Sequence, residues 1–415
     1  MTLPAIAEAA PRGTRPWSSQ IAEIRADRAL ILYGAALAAA NVLTSIQWQF
    51  RSGVSLMLAD APDRLCWPFW ERCSDLQLSV WTVHYTLWAF CFLSAAASAC
   101  FLFKKATAGY WLLAVVTFIR LAIMVQDYRL RANQHYMLNW VVLAFLFLPG
   151  KRPLIHHILV SLYFWAGILK LDWEWLSGVA LYNQDRLWLP AALVPAACVY
   201  VVLLETTLVF GLYSKRNALF FAALAQLTMF HIFSWPIVGF WYPTLMFCLL
   251  SILPLTRMLH PPAAWTTFAS LRQIGRRPVH AATLAAFAAL QLVPHAYPGD
   301  SAVTGEGRVF ALHMFDALVV CEGRLTYHYA DGSVREDTLP ETQRLPHRSR
   351  CDPLIFFNLA KNACRRRTAD VVDLDLSLRS RHRSQAESRP TIDVKGFCAA
   401  DPTYDIWRHN AWINP

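Results

Sequence analysis

The chain has 415 residues, of which 56% are hydrophobic and only 16% charged, against roughly 25% charged residues in an ordinary soluble domain. With 17 Trp, 24 Phe and 14 Tyr, side chains that gather where membrane spans meet water, this composition argues against a wholly soluble protein and for a polytopic membrane protein. The formal charge of +10 is not a nucleic-acid signature, because residues 297–415 carry 16 Lys and Arg against 16 Asp and Glu, and the whole excess lies in residues 1–296, between the hydrophobic runs, where it sets membrane orientation.

In chain order, residues 1–28 read as a cytoplasmic segment. They lack a short apolar core followed by a small-residue cleavage site, so the first span is expected to be a retained signal anchor. Residues 29–295 form the transmembrane domain. Apolar runs of the length a bilayer requires cover residues 29–48, 84–103, 108–126, 136–149, 154–170, 190–212, 217–234, 237–254 and 279–295. The expected fold is therefore a polytopic α-helical membrane bundle of about nine transmembrane helices. The fourth run is short, and the turn Ser234-Trp235-Pro236 is tight enough to allow a count of eight. Loops on the N-terminal side of the alternate spans hold 14 Lys and Arg and 3 Asp and Glu; those on the other side hold 6 and 8. The positive-inside rule then places the N-terminus in the cytoplasm of a multi-pass cell-membrane protein and the C-terminal tail outside.

Residues 296–415 are expected to form a small extracytoplasmic α+β domain. Arg324 to Glu336 alternates around Ala330-Asp331-Gly332-Ser333, a hairpin signal; Pro353 to Arg365 has helical spacing; Val371 to Leu378 and Pro390 to Phe397 read as strands. Ser380 to Ser388 is a polar loop expected to be mobile. Cysteine usage agrees with this topology. Cys91, Cys100, Cys198 and Cys248 fall inside spans, whereas Cys66, Cys73, Cys321, Cys351, Cys364 and Cys398 fall on the outer side, enough for up to three disulfides whose pairing the sequence leaves open. No close pair of cysteines has ligand spacing, so no metal site is expected.

Three ionised residues, Arg120, Lys170 and Glu205, lie within the spans, where a charge costs several kcal/mol, about 2.5 to 3.5 on insertion scales, unless it finds a partner, a wet cavity or the interface. Arg120 and Glu205 are candidates to pair with each other. Lys170 either ends its helix and snorkels outward beside Asp172, or sits in an apolar pocket that disfavours the ammonium form and makes the amine a usable general base. Asn133, Gln134, His135 and His231 lie near the outer ends of spans, either as hydrogen-bonded packing residues or as the lining of a shared cavity able to stabilise an anion.

The segment Tyr163-Phe164-Trp165-Ala166-Gly167-Ile168-Leu169-Lys170-Leu171-Asp172-Trp173-Glu174-Trp175-Leu176-Ser177-Gly178 resembles the signature of the vitamin K-dependent gamma-carboxylase family and its bacterial relatives. Asn133-Gln134-His135-Tyr136, Phe230-His231 and Arg308 to Phe315 resemble weaker segments of the same family, in the same order. The resemblance covers residues 25 to 330. It implies a lyase-type membrane enzyme in which Lys170 deprotonates reduced vitamin K or a related quinol, oxygen converts the quinol anion to a strong base, and carbon dioxide adds to the resulting carbanion. By the same resemblance His135 would stabilise intermediates, and His231, with Asn133, Gln134 and Trp165, would line the quinol site. The sequence departs from the family after His231, where Ser234 and Trp235-Pro236 interrupt the motif. Expected partners are the membrane, the quinol and a peptide or small molecule on the outer face. Two other classes compete: a non-catalytic membrane scaffold with a disulfide-bonded outer binding domain, and a quinone-linked thiol redox protein, the latter lacking any Cys-x-x-Cys.

Overall fold

A computed structural model describes residues 16–59, 64–181, 189–339 and 351–415; most of the expected cytoplasmic leader lies outside these residues. The helical part comprises α1 (Pro16–Ala26), α2 (Arg28–Phe50), α3 (Val54–Ala59), α4 (Val80–Leu102), α5 (Ala106–Met124), α6 (Asn133–Phe147), α7 (Lys151–Ile168), α8 (Trp173–Leu176), α9 (Val194–Thr206), α10 (Asn217–Val238), α11 (Trp241–Leu250), α12 (Ile252–Leu259), α13 (Phe268–Ile274) and α14 (Pro278–Leu292). Among the described residues, seven helical segments are long and apolar enough to cross a membrane: Arg28–Phe50, Val80–Leu102, Ala106–Met124, Ala191–Tyr213, Asn217–Val238, Trp241–Leu259 and Pro278–Ala296. Seven of the nine expected runs coincide with these. The remaining two are helices α6 and α7, which do not reach that standard of length and hydropathy, so a count of nine is not established.

Four of the seven apolar segments are poorly buried by their neighbours. Only 28% of the most apolar stretch of Val80–Leu102 is buried, and Trp81, Tyr85 and Phe92 on α4 are exposed, as expected of a surface solvated by lipid rather than water. Their ends are set by local chemistry. Asp27 caps α2 by accepting from the Ala29 amide at 2.8 Å, and Ser79 caps α4 through the Thr82 amide at 3.0 Å. The Glu23 carboxylate of α1 accepts from the Gly150 and Lys151 amides at 3.1 and 2.6 Å, placing an anion on the positive end of α7. Where α2, α4 and α5 meet, the Phe101 ring is sandwiched between Gly34 and Gly109. A Cβ at either glycine would fall 2.8 to 2.9 Å from the ring, the close approach that small residues permit between membrane helices.

The C-terminal part is a small antiparallel sheet domain. After α15 (Ser301–Thr304) and α16 (Phe315–Leu318), strands β1 (Val319–Tyr329), β2 (Val334–Thr338), β3 (Val371–His382) and β4 (Arg389–Val394) form one sheet in the order β2-β1-β3-β4. Helix α17 (Pro353–Arg366) covers it, and α18 (Phe397–Ala400) follows β4. Leu374, Leu376 and Leu378 alternate inward along β3, and with Leu325 and Ile392 pack against Ile355, Phe356 and Phe357 of α17, the period-2 burial that a one-sided sheet demands. The expected hairpin, helix and two strands all occur. The expectation of a loop over Ser380 to Ser388 is corrected at its first three residues; 383–388 form the connection between β3 and β4. Those first three continue β3, paired with Val319 to Cys321, because Ser380 faces the interior and completes the ladder.

The cysteines on the expected outer side form three disulfides, Cys66–Cys73, Cys321–Cys351 and Cys364–Cys398, while Cys91, Cys100, Cys198 and Cys248 are free. Two of the bridges close loops within the sheet domain, adding cross-links to its small core. Mass spectrometry of non-reduced peptides should show these three linkages. Replacing both Cys364 and Cys398 by Ser should destabilise the domain by about 2 to 4 kcal/mol, read as an earlier unfolding transition; an unchanged transition would remove the stabilising role.

Candidate functional site

Residues Tyr163 to Gly178 span the end of α7, the short α8 and the turn that follows it, and several of them have a visible task. Gly167 lies where α7 crosses α9: an added Cβ would come within 2.7 Å of the Thr206 side chain and 2.9 Å of the Glu205 Cβ. Only a glycine lets the two helices approach closely enough for Lys170, just past the end of α7, to reach Glu205. The Lys170 ammonium lies 2.5 Å from the Glu205 carboxylate and donates to the Ala166 carbonyl at 3.0 Å, on the negative end of its own helix. Both residues are buried. Asp172 then stops one helix and starts the next, its carboxylate accepting from the Glu174 amide at 2.8 Å. The Trp175 ring lies 5.5 Å from the Lys170 nitrogen, and its indole N–H is held by the Cys198 carbonyl at 3.1 Å. Gly178, at φ +79°, closes the segment in the left-handed region, with no room for a side chain against Val194 and Pro195.

Two expectations about these charges are corrected. Arg120 and Glu205 do not pair: Glu205 on α9 belongs to Lys170, and Arg120 on α5 instead donates to Asn41 and Asn139 at 3.0 and 2.5 Å. Nor does Lys170 snorkel toward Asp172, since a carboxylate within reach in the interior outweighs the route to water. The pair also changes what a single substitution does. Removing an isolated buried ammonium would be tolerated, whereas removing one member of a buried pair strands the other and costs about 3 to 5 kcal/mol.

His231, fully buried on α10, meets the Tyr163 hydroxyl at 2.6 Å, and its Nδ1 has no hydrogen-bond partner among the described residues. His231 interacts electrostatically with Lys170, and Tyr163 with Glu205, so Lys170, Glu205, Tyr163 and His231 form one polar cluster inside an apolar bundle. Trp165 is half-buried on the same helix, against Phe164. The residues around Asn133 stand elsewhere. Asn133 uses both ends of its amide on the His313 backbone, donating to the carbonyl at 2.7 Å and accepting from the amide at 3.3 Å. It thereby fastens α6 to the segment Arg308 to Phe315, which Tyr136 also holds through the Phe310 carbonyl at 2.7 Å. Gln134 is buried beside it. His135 turns to α2, accepting from the Trp48 indole at 3.2 Å; among the described residues no hydrogen bond, ion pair or ring contact joins it to Lys170.

A link that the sequence reading missed ties the signature to the sheet domain. Glu174 is buried and receives the Ser384 amide at 3.0 Å and the Ser384 hydroxyl. His382, one turn of chain away, lies 3.8 Å from Glu174 and 2.5 Å from Asp300. Glu174 sits within the quoted motif, but nothing local indicates a partner 210 residues later.

Comparison with known proteins finds no matching family model, no matching curated protein and no matching solved structure.

The His382 cluster generates a pH prediction. The hydrogen bond to Asp300 holds the His382 imidazolium above the usual histidine range, with the charges of Asp300, Asp172 and Glu174 adding to it; the same hydrogen bond holds the Asp300 carboxyl below its ordinary value. The stabilisation is therefore complete below the ordinary histidine value of about 6.5 and above the ordinary aspartate value of about 3.9. It is lost as pH rises through the elevated His382 value, and again as pH falls through the depressed Asp300 value. Thermal melts of Asp300→Asn should lose the neutral-to-alkaline part of this dependence; a pH profile identical to wild type would show that the cluster contributes nothing.

Proposed function

We propose that the chain is a multi-pass membrane enzyme of the gamma-carboxylase-like type, in which the buried Lys170–Glu205 pair moves a proton for a quinol cofactor. The observation that carries this reading is a lysine and a glutamate 2.5 Å apart, both shielded from water, beside a histidine with an unsatisfied ring nitrogen. In such surroundings the ion pair and its neutral form, amine and carboxylic acid, lie closer in energy than in water, because burial penalises the two charges together. The neutral form presents a free amine at Lys170 while Glu205 keeps the proton. Lys170 then takes up a proton at Nζ, and the oxygen of Glu205, which stays a neutral acid, accepts a hydrogen bond from the ammonium so formed.

Reduced vitamin K or a related quinol, with oxygen and carbon dioxide, would supply the strong base and the carboxyl group. The unpartnered Nδ1 of His231 fits such a group, with Tyr163 fixing the orientation of the ring and Trp165 adding apolar surface. His135 would assist from α6, Gln134 would line the same region, and Asn133 would act through its hold on the His313 backbone. Apolar helices suit a carbanion because they exclude water.

The charge bias of the loops and the three disulfides support a cytoplasmic N-terminus, nine membrane crossings that include the short α6 and α7, and an extracytoplasmic sheet domain. A reporter fused after Pro415 should be active only outside the cytoplasm; activity inside would overturn this topology and with it the odd number of crossings.

Turnover tests the chemistry. Protein purified in detergent should consume reduced vitamin K and yield its epoxide. Lys170→Ala should lower that rate by about 100-fold or more, with partial recovery on adding small amines, and Glu205→Gln should lower it while preserving the fold better than Glu205→Ala. Wild-type rates in Lys170→Ala would defeat the assignment of the base. Absence of any quinol turnover in the intact protein would leave the scaffold reading.

A further inference from the structure

Among the described residues Arg120 is a buried cation without a counter-ion. Its guanidinium, borne about one turn before the C-terminal end of α5, is fully buried, with one nitrogen donating to Asn41 of α2 at 3.0 Å and another to Asn139 of α6 at 2.5 Å. Both acceptors are neutral amide oxygens. No carboxylate forms an ion pair with it among the described residues, and its Nε–H has no acceptor. One turn before Asn139 on the same face of α6 lies His135, which interacts electrostatically with Arg120. Its Nε2 is 3.2 Å from the Trp48 indole nitrogen. An indole N–H can only donate, so His135 Nε2 is the acceptor and the neutral ring carries its proton on Nδ1. That Nδ1 is also buried without a partner. Neighbouring helices α5 and α6 thus carry two buried N–H donors and one full positive charge, neither donor having an acceptor among the described residues.

A buried charge in a membrane bundle needs a partner of opposite sign, and an unsatisfied buried donor needs an acceptor. A water molecule would answer the second need and leave the first. A spherical halide would answer the first, but it offers no separate oxygens to donors on two helices. We propose that Arg120 and His135 form a buried binding site for one small planar oxyanion of the carboxylate type. Its oxygens would accept from Arg120 Nε and His135 Nδ1, while Asn41 and Asn139 hold the guanidinium in place and Trp48 fixes the histidine tautomer. A phosphate dianion is bulkier and costlier to bury. The same chemistry is offered by aqueous bicarbonate and by the carboxylate of an organic molecule. No hydrogen bond, ion pair or ring contact joins this cluster to the Lys170 cluster among the described residues, so anion binding here can be measured without quinol turnover.

Binding without turnover tests it. The intact protein in detergent is titrated with bicarbonate, with acetate and with chloride, reading the shift in thermal unfolding and, by labelled carbon, the bound anion. Saturable stabilisation by bicarbonate or acetate, at constant ionic strength and without the same effect from chloride, is expected; bicarbonate alone identifies the inorganic source, and acetate with bicarbonate a general carboxylate site. Arg120→Gln, which keeps a polar group and removes the charge, should weaken the anion by about tenfold or more, and His135→Phe, which keeps a planar ring without the donor, should weaken it several-fold. No saturable carboxylate effect, an equal effect of chloride, or wild-type affinity in Arg120→Gln would overturn the proposal. If Arg120→Gln does not fold, wild-type affinity in His135→Phe overturns it instead.

Discussion

A charge in an apolar helix bundle must be answered by another group, and much of the polar architecture of this protein follows from how Lys170, Glu205 and Arg120 are answered. Lys170 and Glu205 answer each other at 2.5 Å, which requires α7 and α9 to come nearly into backbone contact. That approach requires Gly167, because a methyl group there would meet Thr206 and the Glu205 side chain. The pair in turn fixes the end of α7, hence the position of Asp172 as the next cap and of Trp175 beside the ammonium. Attraction within the pair is offset by the desolvation of both charges, so its net contribution to stability is small even though breaking it is costly.

Arg120 is answered differently. Asn41 and Asn139 satisfy donors but not charge, and the two clusters consequently have different capacities. The Lys170 cluster contains its own acid and base and can rearrange a proton internally. The Arg120 cluster holds a fixed charge and, with His135, two donors without acceptors, so it can attract an acceptor but has none of its own. His231 resembles His135 in having an unpartnered Nδ1, yet its other nitrogen meets a tyrosine hydroxyl, which can donate or accept; its tautomer is therefore free to follow whatever occupies the other side.

The sheet domain is not a loosely tethered appendage. Arg131 holds the carbonyls of Arg308 and Ala311, Asn133 and Tyr136 hold His313 and Phe310, and Asn358 of α17 exchanges hydrogen bonds at 3.1 Å with the backbone of Cys66, in the loop before α4. On the other side Glu174 is gripped by Ser384. The turn that follows Lys170 is thereby attached to β3, giving the state of the sheet domain, including the protonation of His382, a physical route to the lysine-bearing end of α7.

Much of this was legible in the chain itself. Long apolar runs determine membrane-type helices because a backbone in lipid must satisfy its own hydrogen bonds, and seven such helices occur where the hydropathy places them. Alternation determines the hairpin and the strands, since a one-sided sheet buries every second residue. The even set of six cysteines indicates disulfides, but not their pairing. Lys170, Glu205, Arg120 and the histidines are visible as candidates because each is out of place in an apolar run. Their partners are not visible: Glu205 lies 35 residues from Lys170, and Glu174 lies 210 from Ser384. Sequence spacing carries no information about which helices adjoin, so pairing Arg120 with Glu205 was as reasonable from charge alone as the pairing that occurs. Only the packing of α7 on α9, and of α5 between α2 and α6, decided which charge found a counter-ion and which was left with amides, because Coulomb attraction and hydrogen bonds act over a few ångströms and only tertiary structure brings distant residues within that range.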